Sequence, residues 1–317
     1  MVKVFIDGSA GTTGLKIADR LAGREDLALI TLPEELRKDS GARRDAIHSA
    51  DVVFLCLPDA AAVEAEALAE GAKAVLIDTS TAHRTAPGWA YGFPELTGRR
   101  DAVLNSGRIA NPGCHASGFL ALTEPLVTAK LLSPDAALTC FSLTGYSGGG
   151  KKMIAGYEAP DRDPLLGAPR QYGLTQSHKH LPEMTKISGL RTAPAFCPIV
   201  GDFYSGMEVT VPLFTKDLRG SVEDIRAVYR ERYTGKIVHF DGNENEDGFL
   251  SAGAWSGYDD MQITVQGEGE RILLVSRFDN LGKGASGSAI QNMNLVLGFC
   301  EDEGLKLKGT AKSGPVL

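Results

Sequence analysis

The first fourteen residues place a short apolar strand, a glycine-containing turn and the start of a helix in direct succession. Residues 2–6 have the pattern of a buried strand, and residues 15–21 have that of a helix. Between them the glycines are spaced as Gly8-x-x-Gly11-x-x-Gly14, a variant of the dinucleotide-binding fingerprint. Glycines in such a turn let a pyrophosphate approach the helix N-terminus closely, although they can also serve merely to pack the helix on the strand. Their position directly after a strand favours a dinucleotide-binding fold.

The segments that follow alternate between strand and helix, as a doubly wound parallel sheet requires. Strand patterns cover 27–32, 51–57 and 73–78, and a helix pattern covers 60–70. After Cys114 the pattern changes to a helix and then mainly to strands. The predicted elements of this second part are a helix over 116–130, strands near 137–143, 206–214, 236–240, 261–266 and 271–278, and a helix over 221–233 with Ser221 as its N-cap. We therefore predict an α/β fold, a Rossmann-like doubly wound parallel sheet plus a second α+β domain with a mostly antiparallel sheet.

The end of the second strand indicates which nucleotide the first domain binds. No acidic residue stands at its tip to hold a ribose 2′-hydroxyl, and a basic set follows, which suits a 2′-phosphate. This set consists of Arg37, Lys38, Arg43 and Arg44. NADP(H) is accordingly favoured over NAD(H), while Glu34 keeps the choice open and each basic residue could instead lie on a solvated helix face.

Further candidate ligand-binding residues stand where strands end or helices begin. Thr12 and Thr13 can donate hydroxyl hydrogen bonds beside the glycine turn, and Pro58 and Ser80 follow strands at the carboxyl edge of the sheet, where ligands bind. Arg84 could hold an anionic substrate group or pair with a surface carboxylate. Near the C-terminus, the small-residue loop with Asn280 and Gly284 opens a helix, so it either returns to the cofactor or forms an ordinary turn.

Cys114 is the candidate nucleophile. It follows Asn111-Pro112-Gly113 where a turn opens into a predicted helix, and N–H groups at a helix start lower the pKa of a thiol. The alternative is a small buried side chain, which is what most free cysteines are. The five cysteines are widely spaced with no Cys-x-x-Cys pair, which argues against a disulfide framework and a zinc site.

Two more clusters can carry chemistry. Ser147, Gly148 and Lys151 belong to a glycine-rich loop that could receive a phosphate or a carboxylate, or could form a flexible interface. His180 and Glu183 belong to a segment that begins with a second imidazole at residue 178. Histidines two residues apart in a helix would splay, which disfavours a metal site, so we expect a general base adjusted by the carboxylate.

Charge and hydropathy restrict the class of partner. The net charge of −7 gives no support to a nucleic-acid or membrane-surface partner, although a local basic pocket for a small anion is compatible with it. No apolar segment approaches the length that spans a bilayer, and the first residues lack the pattern of a secretory leader. We expect a cytoplasmic protein that binds small molecules.

Together these motifs resemble those of the N-acetyl-gamma-glutamyl-phosphate reductases, in their short form, within the aspartate-semialdehyde dehydrogenase superfamily. The resemblance extends over nearly the whole chain. The motifs occur in family order: the glycine turn, Ile77-Asp78-Thr79-Ser80 through Arg84, Tyr91-Gly92-Phe93-Pro94-Glu95-Leu96, Asn111-Pro112-Gly113-Cys114, Ser147-Gly148-Gly149-Gly150 and His178-Lys179-His180-Leu181-Pro182-Glu183. Departures are mild: His115 stands where the long form usually has Tyr, Phe93 where Leu is common and Lys151 where Arg is common.

The resemblance implies a reaction, catalytic roles for two residues and a separate function for each domain. Cys114 would attack the acyl phosphate of N-acetyl-L-glutamyl 5-phosphate, expel inorganic phosphate and form a thioester, which NADPH would reduce to the semialdehyde in arginine biosynthesis. His180 would be the acid–base residue. Residues 1–113 with 286–317 would form the NADP-binding domain, and 114–285 the catalytic and dimerisation domain of a homo-oligomer, either a dimer or a tetramer. No metal is implied.

Two alternatives remain open from the sequence. A related reductase of aspartyl phosphate would use the same cysteine chemistry, although the His-x-His-x-Pro-Glu segment at residues 178–183 speaks against it. A regulator that binds NADP without catalysis would keep the fold, but the presence of both Cys114 and His180 disfavours it.

Overall fold

The computed structural model of the chain describes residues 1–308, which divide into two compact units. Unit 1 consists of Met1–Pro94, Gly98–Gly113 and Ala285–Leu305, and unit 2 of Glu95–Thr97, Cys114–Gly284 and residues 306–308. The predicted domains, 1–113 with 286–317 and 114–285, remain a proposal about function, and their residues 309–317 lie outside the described part of the chain.

Unit 1 contains a six-stranded sheet in which every pair of neighbouring strands is parallel, in the order β2-β1-β3-β4-β6-β5. Its elements are β1 (Val2–Asp7), α1 (Thr12–Leu21), β2 (Leu27–Ile30), α2 (Ser40–Ser49), β3 (Val52–Leu55), α3 (Asp59–Leu68), β4 (Val75–Asp78), β5 (Ala90–Tyr91), α4 (Arg99–Leu104), β6 (Arg108–Ala110) and, after unit 2, α9 (Gly287–Leu297). All four residues of β3 are buried, as expected of a parallel strand covered on both faces. The predicted doubly wound sheet is confirmed.

Unit 2 contains a seven-stranded sheet in the order β11-β12-β13-β10-β7-β9-β8. Its elements are α5 (Cys114–Thr128), β7 (Thr139–Gly145), α6 (Gly150–Glu158), β8 (Arg170–Gln171), α7 (Leu181–Ser188), β9 (Ala195–Gly201), β10 (Met207–Phe214), α8 (Val222–Arg232), β11 (Val238–Phe240), β12 (Met261–Gln266) and β13 (Arg271–Phe278). The β11–β12 and β7–β9 pairs are parallel and the others are antiparallel, so the sheet is mixed but mostly antiparallel, as predicted.

Helix α5 packs closely on one face of this second sheet. A Cβ atom at Gly118 would lie 2.4 Å from Cγ2 of Val209, a distance that no side chain tolerates, so glycine allows the helix to approach the strands. On β7 and β10 the residues of this face are buried and alternate with residues that are more exposed. The close packing fixes where the N-terminus of α5 lies within unit 2.

Local signals set the other helix boundaries. The hydroxyl of Ser221 accepts a hydrogen bond from the backbone N–H of Asp224, and the Asp224 carboxylate accepts one from the Ser221 N–H, so α8 begins with a capping box, and the predicted N-cap is confirmed. In residues 1–308 no helix combines the length and the apolar character needed to cross a bilayer.

Candidate active site

The glycine turn of unit 1 is packed so closely that two of its positions exclude any side chain. Gly8 has φ of +89°, and a Cβ atom there would lie 2.3 Å from the carbonyl oxygen of Cys56. A Cβ atom at Gly14 would lie 2.6 Å from the carbonyl oxygen of Gly8, and the Gly11 N–H donates to that same oxygen. The glycines therefore pack α1 onto the strand and leave bare backbone at the helix start, as a pyrophosphate site needs.

A cavity of about 580 Å³ lies in unit 1 beside this turn and the ends of β1 and β2. Gly8 and Pro58 line it together with Arg37, Lys38 and Arg43. Arg37 and Lys38 are exposed, so their charges can meet a ligand at little desolvation cost. The cavity joins bare backbone to these two exposed cations, and its residues fit a dinucleotide that carries an additional phosphate.

Arg43 is committed to carboxylates of its own unit. Its guanidinium donates to Oδ2 of Asp7 from both Nε (3.1 Å) and Nη2 (2.9 Å), and Nη1 lies 3.1 Å from Oε1 of Glu64. Burial raises the pKa of Asp7, and the guanidinium opposes that shift. Arg44 is exposed and does not line the cavity. The four basic residues therefore have three different environments. Arg37 and Lys38 are exposed and line the cavity, Arg43 lines it but is paired with carboxylates, and Arg44 faces solvent.

The remaining predicted residues of unit 1 lie near strand and helix ends. Thr12 and Thr13 open α1 and are half-buried. The hydroxyl of Ser80 donates to Oδ2 of Asp78 (2.7 Å). Arg84 is buried, and its guanidinium donates to the backbone carbonyls of Asn111 (3.0 Å) and Thr79 (3.2 Å). These contacts tie the loops after β4 and β6 together, and substrate binding by Arg84 stays a prediction.

Cys114 is the first residue of α5, as the sequence predicts, and it is half-buried. The N–H groups of a first helical turn have no partner within their own helix, and the helix dipole favours negative charge there. Gly284 lies close by, since a Cβ atom added to it would be 2.9 Å from Cβ of Cys114. By contrast, burial raises the pKa of the Cys56 thiol to about 12, which makes that residue a poor nucleophile.

Three histidines form a cluster that includes His115, the residue after Cys114 in α5. The ring of His115 lies 5.8 Å from that of His178 and 5.4 Å from that of His180, and the latter two rings are 4.9 Å apart. His178 and His180 precede α7 rather than lying inside a helix, so the expected splaying does not occur. Nε2 of His180 is 4.0 Å from Oε1 of the buried Glu183.

His115 is held between two hydroxyl groups. Its Nδ1 is 2.6 Å from Oγ of Ser142 on β7, and its Nε2 is 2.7 Å from the hydroxyl of Tyr172. Burial, assisted by the positive charges of His178 and Lys179, lowers the pKa of His115 to about 3. Its imidazole is therefore neutral at neutral pH, whereas burial and the thiolate charge of Cys114 raise the pKa of Tyr172.

The glycine-rich loop after β7 is connected to the loop that precedes α9. The side-chain amide of Asn280 donates to the hydroxyl of Ser147 (2.9 Å), and its oxygen accepts the backbone N–H of Gly206. A Cβ atom at Gly148 would lie 3.5 Å from the same amide. Lys151 is exposed in the first turn of α6. Asn280 and Gly284, proposed from the sequence as cofactor residues, thus belong to unit 2 together with Cys114.

Sequence reasoning missed Tyr172 and Ser142 as members of this cluster. Neither stands in a motif, and each is far along the chain from the histidine that it contacts, by 57 and 27 residues respectively. His115 carried a weak signal, since it directly follows the nucleophile. Within residues 1–308 no group of three or more histidine, cysteine or acidic side chains is arranged to hold a metal ion.

Two families match the chain, one in each part. The pattern described as semialdehyde dehydrogenase, NAD binding domain, matches residues 7–104. The pattern described as semialdehyde dehydrogenase, dimerisation domain, matches residues 114–280. The second match begins at the proposed nucleophile and includes the histidine cluster.

Curated relatives are similar over almost the full chain. N-acetyl-gamma-glutamyl-phosphate reductase 2 of Nostoc is 43% identical, with 96% of this chain and 99% of the relative covered. The N-acetyl-gamma-glutamyl-phosphate reductases of Brucella suis and Rhizobium meliloti are each 45% identical, with 93% of this chain and 99% and 98% of the relatives covered.

Solved structures share the fold at much lower identity. Aspartate semialdehyde dehydrogenase II of Vibrio cholerae, complexed with ASA, superposes with a TM-score of 0.71 at 15% identity, covering 94% of this chain and 98% of the other. Aspartate semialdehyde dehydrogenase of Candida albicans, determined with NADP, gives a TM-score of 0.67 at 18% identity with the same coverage.

Proposed function

Because the chain belongs to the N-acetyl-gamma-glutamyl-phosphate reductase family, we propose that it reduces N-acetyl-L-glutamyl 5-phosphate to N-acetyl-L-glutamate 5-semialdehyde, with NADPH as reductant, in arginine biosynthesis. The observation that supports this most directly is the 43–45% identity over more than nine-tenths of the chain. The site adds chemical support, because a cysteine at a helix start stands beside a histidine cluster.

The first step is acyl transfer to Cys114. Its thiolate attacks the acyl carbon and forms a carbon–sulfur bond. The bond between that carbon and the phosphate oxygen then breaks, and its electron pair departs with inorganic phosphate, so that the acyl group remains on sulfur as a thioester. The N-terminus of α5 favours the thiolate before the attack, and its backbone N–H groups can stabilise the oxyanion that forms. Gly284 leaves room beside the sulfur, since any side chain there would collide with Cβ of Cys114.

His180 is the proposed acid–base residue. It takes the proton of the thiol before acylation and returns a proton to the oxygen of the thiohemiacetal, whose later deprotonation lets the carbon–sulfur bond break and release the aldehyde. The carboxylate of Glu183, 4.0 Å from Nε2, stabilises the imidazolium that forms between these steps.

The residues of unit 1 supply the cofactor site in this proposal. Gly8, Gly11, Thr12, Thr13 and Gly14 would hold the pyrophosphate, with Pro58 and Ser80 as further contacts. In unit 2, Asn280 and Gly284 stay cofactor contacts predicted from the sequence. Arg37 and Lys38 would hold the 2′-phosphate, because both line the cavity and are exposed. When bound, the reduced nicotinamide supplies the hydride that the thioester carbon accepts.

The proposed substrate-binding residues are Arg84, Ser147, Gly148, Lys151 and Glu183. Lys151 is exposed at the start of α6, next to the glycine-rich loop, which suits a phosphate that must enter and leave. Arg84 already donates to two backbone carbonyls, so its role would be to keep its loop in place as well as to add positive charge.

We further propose a homo-oligomer, a dimer or a tetramer, assembled through the open face of the second sheet. Phe141 and Leu273 are 45% and 42% exposed on that face, and the matching family pattern is described as a dimerisation domain. The cysteines are widely spaced with no Cys-x-x-Cys pair, and this pattern supports the proposal of a reducing, cytoplasmic location.

The decisive experiment is the reverse reaction with and without phosphate. The purified protein should reduce NADP⁺ with N-acetyl-L-glutamate semialdehyde only when phosphate is added, because the thioester needs phosphate as its acceptor. Activity without phosphate would instead identify a hydrolytic aldehyde dehydrogenase. Preference for aspartate semialdehyde would identify the related aspartyl phosphate reductase, and binding of NADP⁺ without turnover would identify a regulator.

A further inference from the structure

The hydrogen-bonding pattern around His115 determines where its single proton lies. A neutral imidazole has one N–H donor and one acceptor nitrogen, and the low pKa of His115 keeps it neutral. Its two nitrogens each contact a hydroxyl group, that of Ser142 at Nδ1 and that of Tyr172 at Nε2. One hydroxyl must therefore donate to the ring and the other must accept from it.

The hydroxyl of Ser142 has to be the donor. Its side chain is completely buried, and in residues 1–308 the only acceptor within hydrogen-bonding distance of its Oγ is Nδ1 of His115. If Nδ1 carried the proton, the Ser142 hydroxyl hydrogen would be buried without an acceptor, which costs about 1–3 kcal/mol. The proton of His115 is thus on Nε2, and Nε2–H donates to the oxygen of Tyr172.

This arrangement leaves the Tyr172 hydroxyl hydrogen available to a third group. The pKa of Tyr172 is raised, so the phenol stays protonated, and the thiolate charge of Cys114 is one of the causes of that rise. The partner of Tyr172 is also covalently next to the nucleophile, since His115 follows Cys114 in α5. The phenol is accordingly a donor that His115 orients from the first turn of α5, close enough to Cys114 to interact with its charge.

We propose that Tyr172 donates a hydrogen bond to the carbonyl oxygen of the acyl group on Cys114, and that Ser142 and His115 are positioning residues that keep its proton turned toward that oxygen. This inference rests on the proposed function for its substrate. Tyr172 transfers no proton: it stabilises the negative charge that develops on oxygen when the acyl carbon becomes tetrahedral, in acylation and again in reduction.

The chain contains a matched control for the positioning role. Ser142 on β7 and Ser276 on β13 are both directly opposite Val209, one on each side of β10, and both are completely buried. The hydroxyl of Ser276, unlike that of Ser142, has no hydrogen-bond partner among the described residues. Alanine at either position removes the same atom from the same face of the same sheet.

The first test measures turnover. Tyr172→Phe should lower kcat about a hundredfold, the loss expected for one oxyanion donor, with little change in KM or in affinity for NADPH. Ser142→Ala should lower kcat at least about tenfold, since Nδ1 can then take the proton and Nε2 can accept that of Tyr172. The double variant should be no slower than Tyr172→Phe alone, and Ser276→Ala should match the wild type.

A second measurement tests whether the Tyr172 phenol acts on the acyl oxygen or on the Cys114 thiol. The pH dependence of Cys114 alkylation by iodoacetamide should be the same in Tyr172→Phe as in the wild type. If the profile moves to higher pH and the kcat lost in Tyr172→Phe is recovered there, the phenol acts on the thiolate and the proposal is wrong. Wild-type turnover by Tyr172→Phe, or equal losses in Ser142→Ala and Ser276→Ala, would also overturn it.

The tautomer of His115 can be read without turnover. In protein labelled with ¹⁵N at histidine, multiple-bond ¹H–¹⁵N spectra should show Nε2 protonated and Nδ1 bare, with the signal assigned by its loss in His115→Gln. A proton on Nδ1 would overturn the positioning role even in an active enzyme. An inactive wild type with the expected tautomer would instead contradict the proposed function.

Discussion

The hydroxyl of Tyr233 donates to the backbone carbonyl of Ala121 at 2.6 Å, and this is the carbonyl that Pro125 leaves without its helical donor. Tyr229 donates to the next carbonyl, that of Leu122. Two tyrosines at the end of α8 thus complete the hydrogen bonding of α5 around its internal proline. Because α5 begins at Cys114, these two hydrogen bonds stabilise the helix that carries the thiol.

Removing the Tyr233 hydroxyl should destabilise the protein in a proline-dependent way. Tyr233→Phe leaves a buried carbonyl unpaired and should lower the free energy of unfolding by about 1–2 kcal/mol, measured by urea denaturation. In a Pro125→Ala background, residue 125 regains an N–H for the Ala121 carbonyl, so the same substitution should cost clearly less. Equal costs in the two backgrounds would show that the tyrosine does not compensate for the proline.

Cys114→Ser should abolish turnover while NADPH binding stays intact, because a hydroxyl at this position is far less nucleophilic than a thiolate. Turnover can be followed by NADPH absorbance, and binding by fluorescence titration. Cys56→Ser is the matched control: burial raises the pKa of that thiol to about 12, so it should not supply a nucleophile, and the variant should keep its activity. Wild-type turnover by Cys114→Ser would refute the nucleophile assignment.

Arg37→Ala and Lys38→Ala should each raise KM for NADPH about tenfold and change KM for NADH little, because a charge-assisted contact to the 2′-phosphate is lost. Arg44→Ala is the control, since Arg44 is basic and exposed but does not line the cavity. Steady-state kinetics with both coenzymes provide the measurement. A parallel rise in the two KM values would place these side chains elsewhere on the nucleotide.

His239 should make stability depend on alkaline pH. Burial alone would lower the pKa of His239, but hydrogen bonds to Asp241 (3.0 Å) and Asp260 (3.2 Å) outweigh it and raise the pKa to about 9. The folded state therefore holds the proton more tightly than the unfolded chain, whose histidines titrate near about 6.5.

The stabilisation is fully present below about pH 6.5 and is lost as the pH rises through about 9. From urea unfolding at several pH values, the free energy of unfolding of the wild type should fall over this window by up to about 3 kcal/mol more than that of His239→Gln. Parallel pH profiles for the two proteins would show that His239 has an ordinary pKa.

Phe141→Arg should weaken self-association through the second sheet. Phe141, Thr210 and Cys197 are directly opposite one another on neighbouring strands of its open face, so a charge placed there would be buried in an interface between two copies. Sedimentation velocity should show a shift toward monomer, whereas Leu165→Arg, a 70% exposed position outside the sheet, should leave the oligomer intact. An unchanged oligomer in Phe141→Arg would exclude this face.

The sequence by itself determined the features that depend on neighbouring residues. The strand, glycine turn and helix at the N-terminus, the capping box at Ser221 and the helix start at Cys114 all follow from local backbone preferences and hydrogen bonds within a few residues. The parallel and mostly antiparallel sheets followed from the spacing of apolar residues, since that spacing decides which faces are buried.

Only the tertiary structure decided which side chains share a proton or a charge. Arg43 resembles its basic neighbours in the sequence, yet it is paired with Asp7, 36 residues away. Ser142, His115 and Tyr172 lie on a strand, a helix and a loop, respectively. No local sequence pattern predicts that their side chains are in contact. Such partners depend on how whole elements pack, because hydrogen bonds and buried charges are set by distances of a few ångströms between remote segments.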